Sequence, residues 1–317
     1  MANVKTILVD VELREGDRAE LTRAEELAKA SGARVFLLLT AFEQSLAGGL
    51  LSDAQRLETV RERWLAELST WLAGQARRLE EAGIETESAV VWHSPRYDAV
   101  LARAAELQAD VIVRAAHRES AIGRLLFGAA DWELVRRAPQ PVWIVGGGAD
   151  LSKDGARVLA AVDPVHPGEQ KAGLDRRLVS AGQRIVKLFG GELHIFHAYS
   201  PAATVTPVAA TGHQAALPAL AVGPELIEEL RALRRAELDR LAEPFGVPPE
   251  RVHLVAGDTK SALLECVDAL RINVVLAGAV SRGRIERLLI GSTAERILDA
   301  VPCDVVVLKP HAFPRTP

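Results

Sequence analysis

A run of small residues late in the chain has the layout of a loop that holds a phosphate group between a strand and a helix. Gly278 follows an apolar strand-like segment, and Gly291-Ser292-Thr293 opens a helical pattern. A glycine lets a ligand approach the backbone, and the free amides and dipole of a helix N-terminus attract anions. Ser292 and Glu295 also have the spacing of a capping box, which begins a helix without any ligand. The residues therefore predict either a phosphate site or a helix cap.

The first half of the chain contains a copy of this loop in which most of the small residues have been replaced. The copy runs from Ala115 to Ala130 and has Arg118 where the later loop has Ser281. Small residues leave backbone amides accessible, and larger ones cover them. We therefore expect a ligand to bind in the second half and not in the first.

The strands and helices that would position these loops alternate in two similar series, which meet near residues 146–150. Strand patterns cover 6–11, 34–41, 86–92, 110–114 and 141–145, and then 157–162, 192–198, 251–255, 273–277 and 304–308. Helical patterns cover 17–30, 53–82, 95–107 and 131–137, and then 170–189, 224–245, 259–270 and 292–300. Uninterrupted apolar strands such as Val305-Val306-Val307 are typical of parallel sheets covered by helices on both faces.

The predicted fold class is α/β, with two tandem doubly wound, Rossmann-like domains of five parallel strands at residues 1–148 and 152–317. The last strand of each domain, 141–145 and 304–308, would otherwise expose an apolar edge. We expect these two strands to join the domains into a pseudo-two-fold dimer within one chain. We also expect two chains to form a homodimer.

Asp163 follows the first strand of the second half, beside the point where strand order reverses and where such sheets bind ligands. A carboxylate at this point can accept hydrogen bonds from a base or a sugar. Asp163-Pro164 is equally typical of a simple turn, so both interpretations stay open. The corresponding residue of the first half is Glu12.

Composition excludes several classes of partner. A formal net charge of −4, a pI near 6.1 and 4% aromatic residues argue against nucleic acid as a partner. No apolar run is long enough to span a bilayer, and the N-terminus lacks a signal-peptide pattern, so we expect a cytoplasmic protein.

Cys266 and Cys303 have neither a disulfide framework nor metal-ligand spacing. His194 and His197 fall on opposite faces of a strand, so no metal site is predicted.

Residues 201–223 form an apolar connection interrupted by prolines at 201, 207 and 218. Connections of this length are usually lids or binding segments. The composition predicts a segment that covers a cavity in the second domain, or alternatively an Ala- and Pro-rich loop that lies on its own domain.

The second half resembles the universal stress protein family, whose signature G-x2-G-x9-G-S/T corresponds to Gly278, Ser281, Gly291 and Ser292. Pro302-Cys303 before the last strand is similar to the family as well. In the first half the resemblance is carried by Ala138 to Val145, and the whole chain looks like the tandem, E-type members. One signature position departs from the family, because Ser281 replaces a glycine.

This resemblance implies binding of an adenine nucleotide, ATP or ADP, in the second half. Carried over residue by residue, it places Asp163 and Ala198 near the adenine and Ala277 and Gly278 beside the ribose and phosphate. It surrounds the phosphates with Ser281, Gly291, Ser292 and Thr293. The E-type members also imply a hydrophobic pocket in the second domain.

The function that this resemblance implies is that of a non-enzymatic stress-response protein that binds a ligand. The first alternative is a binder of a hydrophobic small molecule or lipid under residues 201–223, and the second is a weak ATP hydrolase. No nucleophile elbow, Walker loop or metalloprotease helix is present in the sequence.

Overall fold

A computed structural model describes residues 4–13, 18–47, 54–118, 125–126, 129–146, 149–164, 169–199, 224–279 and 300–310. We call residues 4–146 the N-terminal half and residues 149–310 the C-terminal half. The N-terminal half contains β1 (Thr6–Val11), α1 (Ala19–Ser31), β2 (Arg34–Ala41), α2 (Ala54–Glu81), β3 (Thr86–Trp92), α3 (Arg96–Glu106), β4 (Val111–Ala115), β5 (His117–Arg118), β6 (Leu125–Leu126), α4 (Ala129–Arg137) and β7 (Val142–Val145). The C-terminal half contains α5 (Leu151–Asp154), β8 (Ala156–Ala161), α6 (Glu169–Phe189), β9 (Gly191–Tyr199), α7 (Pro224–Ala242), β10 (Val252–Ala256), α8 (Thr259–Ala269), β11 (Val274–Gly278) and β12 (Asp304–Leu308).

Ten strands form one continuous sheet in the order β10-β9-β8-β11-β12-β7-β4-β1-β2-β3. Within each half the strands are parallel, and the first strand of the half lies between the second and the fourth. This order is that of a doubly wound fold, so the predicted α/β class is confirmed. The two five-stranded sheets are fused edge to edge.

The fusion is made by the last strand of each half, as the sequence predicts. β12 and β7 pair antiparallel, with Val305 opposite Ile144 and Val307 opposite Val142. The register is symmetric about the pair Val306 and Trp143, which is what a pseudo-two-fold relation between the halves requires. Neither final strand is left as an open edge.

A buried carboxylate fixes this junction. Asp304 is fully buried and accepts hydrogen bonds from Trp143 Nε1 at 2.7 Å and from the Gly146 amide at 3.1 Å. Arg23 of α1 donates from Nε to the same carboxylate at 2.8 Å. Because Asp304 belongs to one half and its partners to the other, these bonds hold the halves in a single relative orientation.

Each face of the sheet is covered by one layer of helices, and both layers run across the junction. Helices α1, α2, α6 and α7 pack on one face, and α3, α4 and α8 pack on the other. β1 shows the pattern, since Ile7 and Val9 enter the first core and Leu8 enters the second. This double burial explains why the central strands are apolar without interruption.

The sequence did not predict the short elements β5, β6 and α5. β5 and β6 form a small antiparallel pair inside the first-half loop, and α5 begins the C-terminal half with Asp150 as its N-cap. The predicted helix at 292–300 lies almost wholly outside the described residues, and so does the segment 201–223. None of the helices in the described ranges is both long and apolar enough to cross a membrane.

Candidate functional site

Four of the predicted site residues lie together at the carboxyl edge of the C-terminal half. Asp163 follows β8, Ala198 is near the end of β9, and Ala277 and Gly278 end β11. Because β8 lies between β9 and β11, this edge is the point where strand order reverses. The other predicted residues, Ser281, Gly291, Ser292 and Thr293, fall outside the described residues.

The floor of this edge is made of methyl groups. Ala161, Ala198 and Ala277 end three neighbouring strands, and all three pack on the side of the sheet that α8 covers. Each of them is only partly buried. We call these three residues the alanine floor. It is apolar and carries no side chain longer than a methyl group, so it can lie against a flat apolar ligand.

Asp163 presents its carboxylate to solvent at the margin of the alanine floor. Its side chain is exposed, while its backbone amide donates to Asp175 Oδ1 of α6 at 3.1 Å. The ring of His197 bonds the carbonyl of Val162 at 2.9 Å, directly before Asp163. These contacts hold the backbone, so the turn is fixed without use of the Asp163 carboxylate. Asp175 was not predicted as a site residue, because a carboxylate inside a helical pattern looks like a surface charge.

Gly278 has a packing role that the sequence did not predict. A Cβ at this position would lie 2.6 Å from Cδ2 of Leu174 on α6. The missing side chain therefore lets α6 approach β11, on the face of the sheet opposite the alanine floor. A role for Gly278 in ligand binding stays a prediction.

The N-terminal half has different residues at the positions of the alanine floor. β1 and β4 pair with Ile7 opposite Val111, as β8 and β11 pair with Val158 opposite Val274. Equal steps along these strands place Asp10 at the position of Ala161 and Arg114 at the position of Ala277. Likewise Glu12 corresponds to Asp163, and Arg96, the first residue of α3, corresponds to Thr259, the first of α8.

These four residues, Asp10, Glu12, Arg96 and Arg114, form what we call the ion cluster. Arg96 donates from Nε and Nη2 to Asp10 Oδ1 at 2.8 and 2.7 Å, and its Nη1 lies 3.0 Å from Glu12 Oε1. Arg114 bonds Asp10 through Nη1 and Glu12 through Nη2, the latter at 2.7 Å. Asp10 and Arg114 are only 1% and 4% exposed. Their side chains thus occupy the place where the described part of the other half has only methyl groups.

Among the C-terminal residues that correspond to the four members of the ion cluster, only Asp163 is charged. Ala277 and Thr259 stand where Arg114 and Arg96 neutralise the carboxylates of the ion cluster. Among the residues that the structure describes, no basic side chain lies within ion-pair distance of Asp163. The C-terminal half therefore keeps the carboxylate and lacks the two guanidinium groups.

Packing accounts for His194, His197 and both cysteines. His194 and His197 lie on opposite faces, as predicted, and His194 Nδ1 is 3.0 Å from His253 Nε2 on the next strand. Burial raises the pKa of Cys266 to about 11 and also raises that of Cys303, so both thiols stay protonated near neutral pH. In the described part of the chain, no group of three or more His, Cys, Asp or Glu side chains could hold a metal ion.

The fold and this edge define a class: a tandem, doubly wound α/β protein whose ligand edge lies at the carboxyl ends of its strands. The model of the universal stress protein family matches residues 3–146 and again residues 156–309. The chain belongs to this family, which confirms the resemblance inferred from the sequence.

Relatives match the chain over nearly its whole length. The chain is 26% identical over 316 residues to Universal stress protein E of Photorhabdus laumondii, covering 99% of this chain and 97% of the relative. It is 24% identical over 315 residues to Universal stress protein E of Escherichia coli, covering 99% and 96%. A solved universal stress protein from Archaeoglobus fulgidus has 19% identity and a TM-score of 0.65, covering 96% of this chain and 98% of that one. This last similarity supports the fold alone.

Proposed function

We propose that this universal stress protein binds one adenine nucleotide, ATP or ADP, at the carboxyl edge of its C-terminal half. The observation that carries the proposal is the difference between the halves at equivalent positions. Where the ion cluster fills the N-terminal edge, the C-terminal edge has the alanine floor and an exposed carboxylate.

The chemistry of the C-terminal edge suits a nucleoside. A purine is flat and largely apolar on its faces, so the methyl groups of Ala161, Ala198 and Ala277 can pack against it. The exposed carboxylate of Asp163 can accept hydrogen bonds from the ribose hydroxyls or the adenine amino group. Such polar groups at the margin of an apolar surface are typical of small-molecule sites.

The phosphates would extend toward the loop that begins after Gly278. The family signature there is kept at Gly278, Gly291 and Ser292 and altered at Ser281. If position 281 needs a left-handed backbone, serine adds strain of about 1 to 3 kcal/mol. We therefore expect affinity for the phosphates to be weaker than a complete glycine signature would give. We propose a binding role and not a catalytic one.

A hydrophobic small molecule or lipid is the second candidate ligand. The alanine floor favours it too, because three methyl groups present no hydrogen-bonding group to select a nucleoside. The apolar sequence of residues 201–223 gives the same indication. The two candidates differ at Asp163, since an exposed carboxylate does not favour a purely apolar ligand.

Native mass spectrometry of freshly purified protein gives the first test, because it reports bound ligand and the proposed homodimer together. Isothermal titration with ATP and with adenosine then measures affinity. Asp163→Ala should weaken both ligands, whereas Asp154→Ala, which removes an exposed carboxylate from α5, should weaken neither. Wild-type protein that carries apolar material and ignores both ligands would support the second candidate. Equal binding by wild type and Asp163→Ala would contradict the assigned site.

A further inference from the structure

Arg177 of α6 brings a guanidinium group to the same carboxyl edge. Its Nη1 donates to the backbone carbonyl of Lys309, the residue that follows β12. The end of β12 adjoins the end of β11, because Leu308 is paired with Gly278 and accepts a hydrogen bond from the Ala279 amide at 2.8 Å. Arg177 therefore lies next to the start of the loop in which the sequence predicts the phosphates.

The guanidinium of Arg177 is not neutralised within the described residues. The Lys309 carbonyl is its one hydrogen-bond acceptor there, although a guanidinium has five N–H donors. Arg23 gives the contrast, since its guanidinium pairs with Asp304 at 2.8 Å and also with Glu26. Burial lowers the pKa of Arg177, which means that the protein has partly removed its charge from water without supplying a carboxylate.

The fold itself does not require a cation at this position. α1 and α6 both end at a glycine in the left-handed conformation, Gly32 with φ of 71° and Gly190 with φ of 74°. The residue that lies as far before Gly32 as Arg177 lies before Gly190 is Ala19. Ala19 is therefore the α1 counterpart of Arg177. At this helix position the N-terminal half has a methyl group, and the guanidinium of the adjacent Arg18 donates to the Glu12 carbonyl instead. An arginine at the position of Arg177 itself is therefore present in the C-terminal half alone.

Lys309 does not offer an equivalent charge to a ligand. Its side chain is 3% exposed, and its ammonium group donates to the carbonyl of Arg136 in the last turn of α4. Burial lowers the pKa of Lys309 to about 7, so the ammonium form is itself disfavoured. The more accessible cation at this edge is Arg177.

We propose that Arg177 binds the phosphate group of the ligand and makes the site selective for phosphorylated adenosine over adenosine itself. The inference rests on the proposed function, because it assigns a residue to the same site. Guanidinium groups suit this task, since their paired N–H donors match the spacing of phosphate oxygens. The hydrogen bond to the Lys309 carbonyl would hold the side chain in place, which reduces the entropy lost on binding.

The test compares Arg177→Gln with Arg184→Gln, a change of the same kind at an exposed position of α6. Isothermal titration should show roughly tenfold or greater weakening of ATP in Arg177→Gln, because a charge-assisted hydrogen bond is lost. Binding of adenosine should be unchanged, and Arg184→Gln should bind both ligands as the wild type does. Arg177→Lys, which keeps the charge, should recover part of the affinity for ATP. Equal ATP affinity in Arg177→Gln and wild type would overturn the inference.

A second measurement separates this inference from the proposed function. Inorganic pyrophosphate should raise the Tm of wild-type protein and raise that of Arg177→Gln less. If wild-type protein binds neither ATP nor adenosine, the proposed function is wrong, and the pyrophosphate result decides about Arg177 alone. No difference in the pyrophosphate response between wild type and Arg177→Gln would then overturn the anion site.

Discussion

At the scale of single residues, the charges of the ion cluster are largely removed from water, at a cost that their partners must offset. Asp10 accepts from both arginines, and Glu12 is shared by the same two guanidinium groups. Removing one member leaves another charge buried without its full set of partners. The cluster is therefore expected to behave as a unit, and the alanines of the other half show that the fold accepts its absence.

Arg114→Ala should lower the free energy of unfolding by about 3 to 5 kcal/mol, because it leaves two buried carboxylates with one arginine. The double variant Asp10→Ala/Arg114→Ala has the two alanines that the C-terminal half has at these positions. It should lose less unfolding free energy than the two single variants lose in sum. Urea denaturation of the four proteins in this double-mutant cycle measures the coupling. Additive effects would show that the two residues do not act as a pair.

The sequence located some site residues and missed others for a physical reason. Asp163 and Ala277 could be placed at the ligand edge, because each lies at the carboxyl end of a strand whose position in the sheet follows from the strand order. The ion cluster could not be found, since Asp10, Arg96 and Arg114 are distant in sequence. Only the pairing of β1 with β4 and the approach of α3 bring their charges together.

At the scale of elements, packing of α6 on β11 depends on Gly278. Gly278→Ala should lower the free energy of unfolding by about 1 to 3 kcal/mol, because the new methyl group meets Leu174 at 2.6 Å and overpacks the core. Gly173→Ala is the matched control, since it lies in α6 with no atom near the added methyl group. That control should be neutral or stabilising by up to about 1 kcal/mol. Thermal or urea unfolding that ranks the two variants in the opposite order would contradict this role for Gly278.

The outer strands β9 and β10 should make stability depend on pH. Burial lowers the pKa of both His194 and His253, and the charged groups beside the pair are Glu192, Arg235 and Arg251. The unfolded chain takes up protons near the ordinary histidine value of 6.5, whereas the folded pair resists them, so stability falls as pH falls below that value.

Unfolding free energies at pH 7.5 and pH 5.5 check this expectation. Wild-type protein should lose more stability over this interval than the variant His194→Gln/His253→Gln, in which the pair cannot titrate. The single variant His253→Gln should fall between them and serves if the double variant folds poorly. A loss of equal size in all three proteins would assign the pH dependence to other groups.

Elements were predicted well where their pattern is local and long. The strand predicted at 304–308 matches β12, because three consecutive valines bounded by Pro302 and Pro310 leave little choice. β5 and β6 have two residues each, and α5 has four. Such short elements carry no periodicity, so their pairing and caps become visible only in the folded chain.

At the scale of the whole molecule, duplication has produced two halves that share one sheet and differ in charge at one edge. The junction through Trp143 and Asp304 makes the halves a single unit. Within that unit the ion cluster fills the N-terminal edge, whereas the described residues of the C-terminal edge have the alanine floor at the corresponding positions. The central claim is that one chain binds one nucleotide, at the C-terminal half.

Isothermal titration of ATP into wild type and into Ala161→Asp/Ala277→Arg tests this claim most directly. The double variant copies Asp10 and Arg114 into the C-terminal half, where the strand register places the new side chains next to each other so that they can pair. Circular dichroism and Tm confirm that the variant is folded. The account predicts one ATP per wild-type chain and none for the folded variant. Two ATP per wild-type chain, or a folded variant that binds ATP as the wild type does, would contradict it.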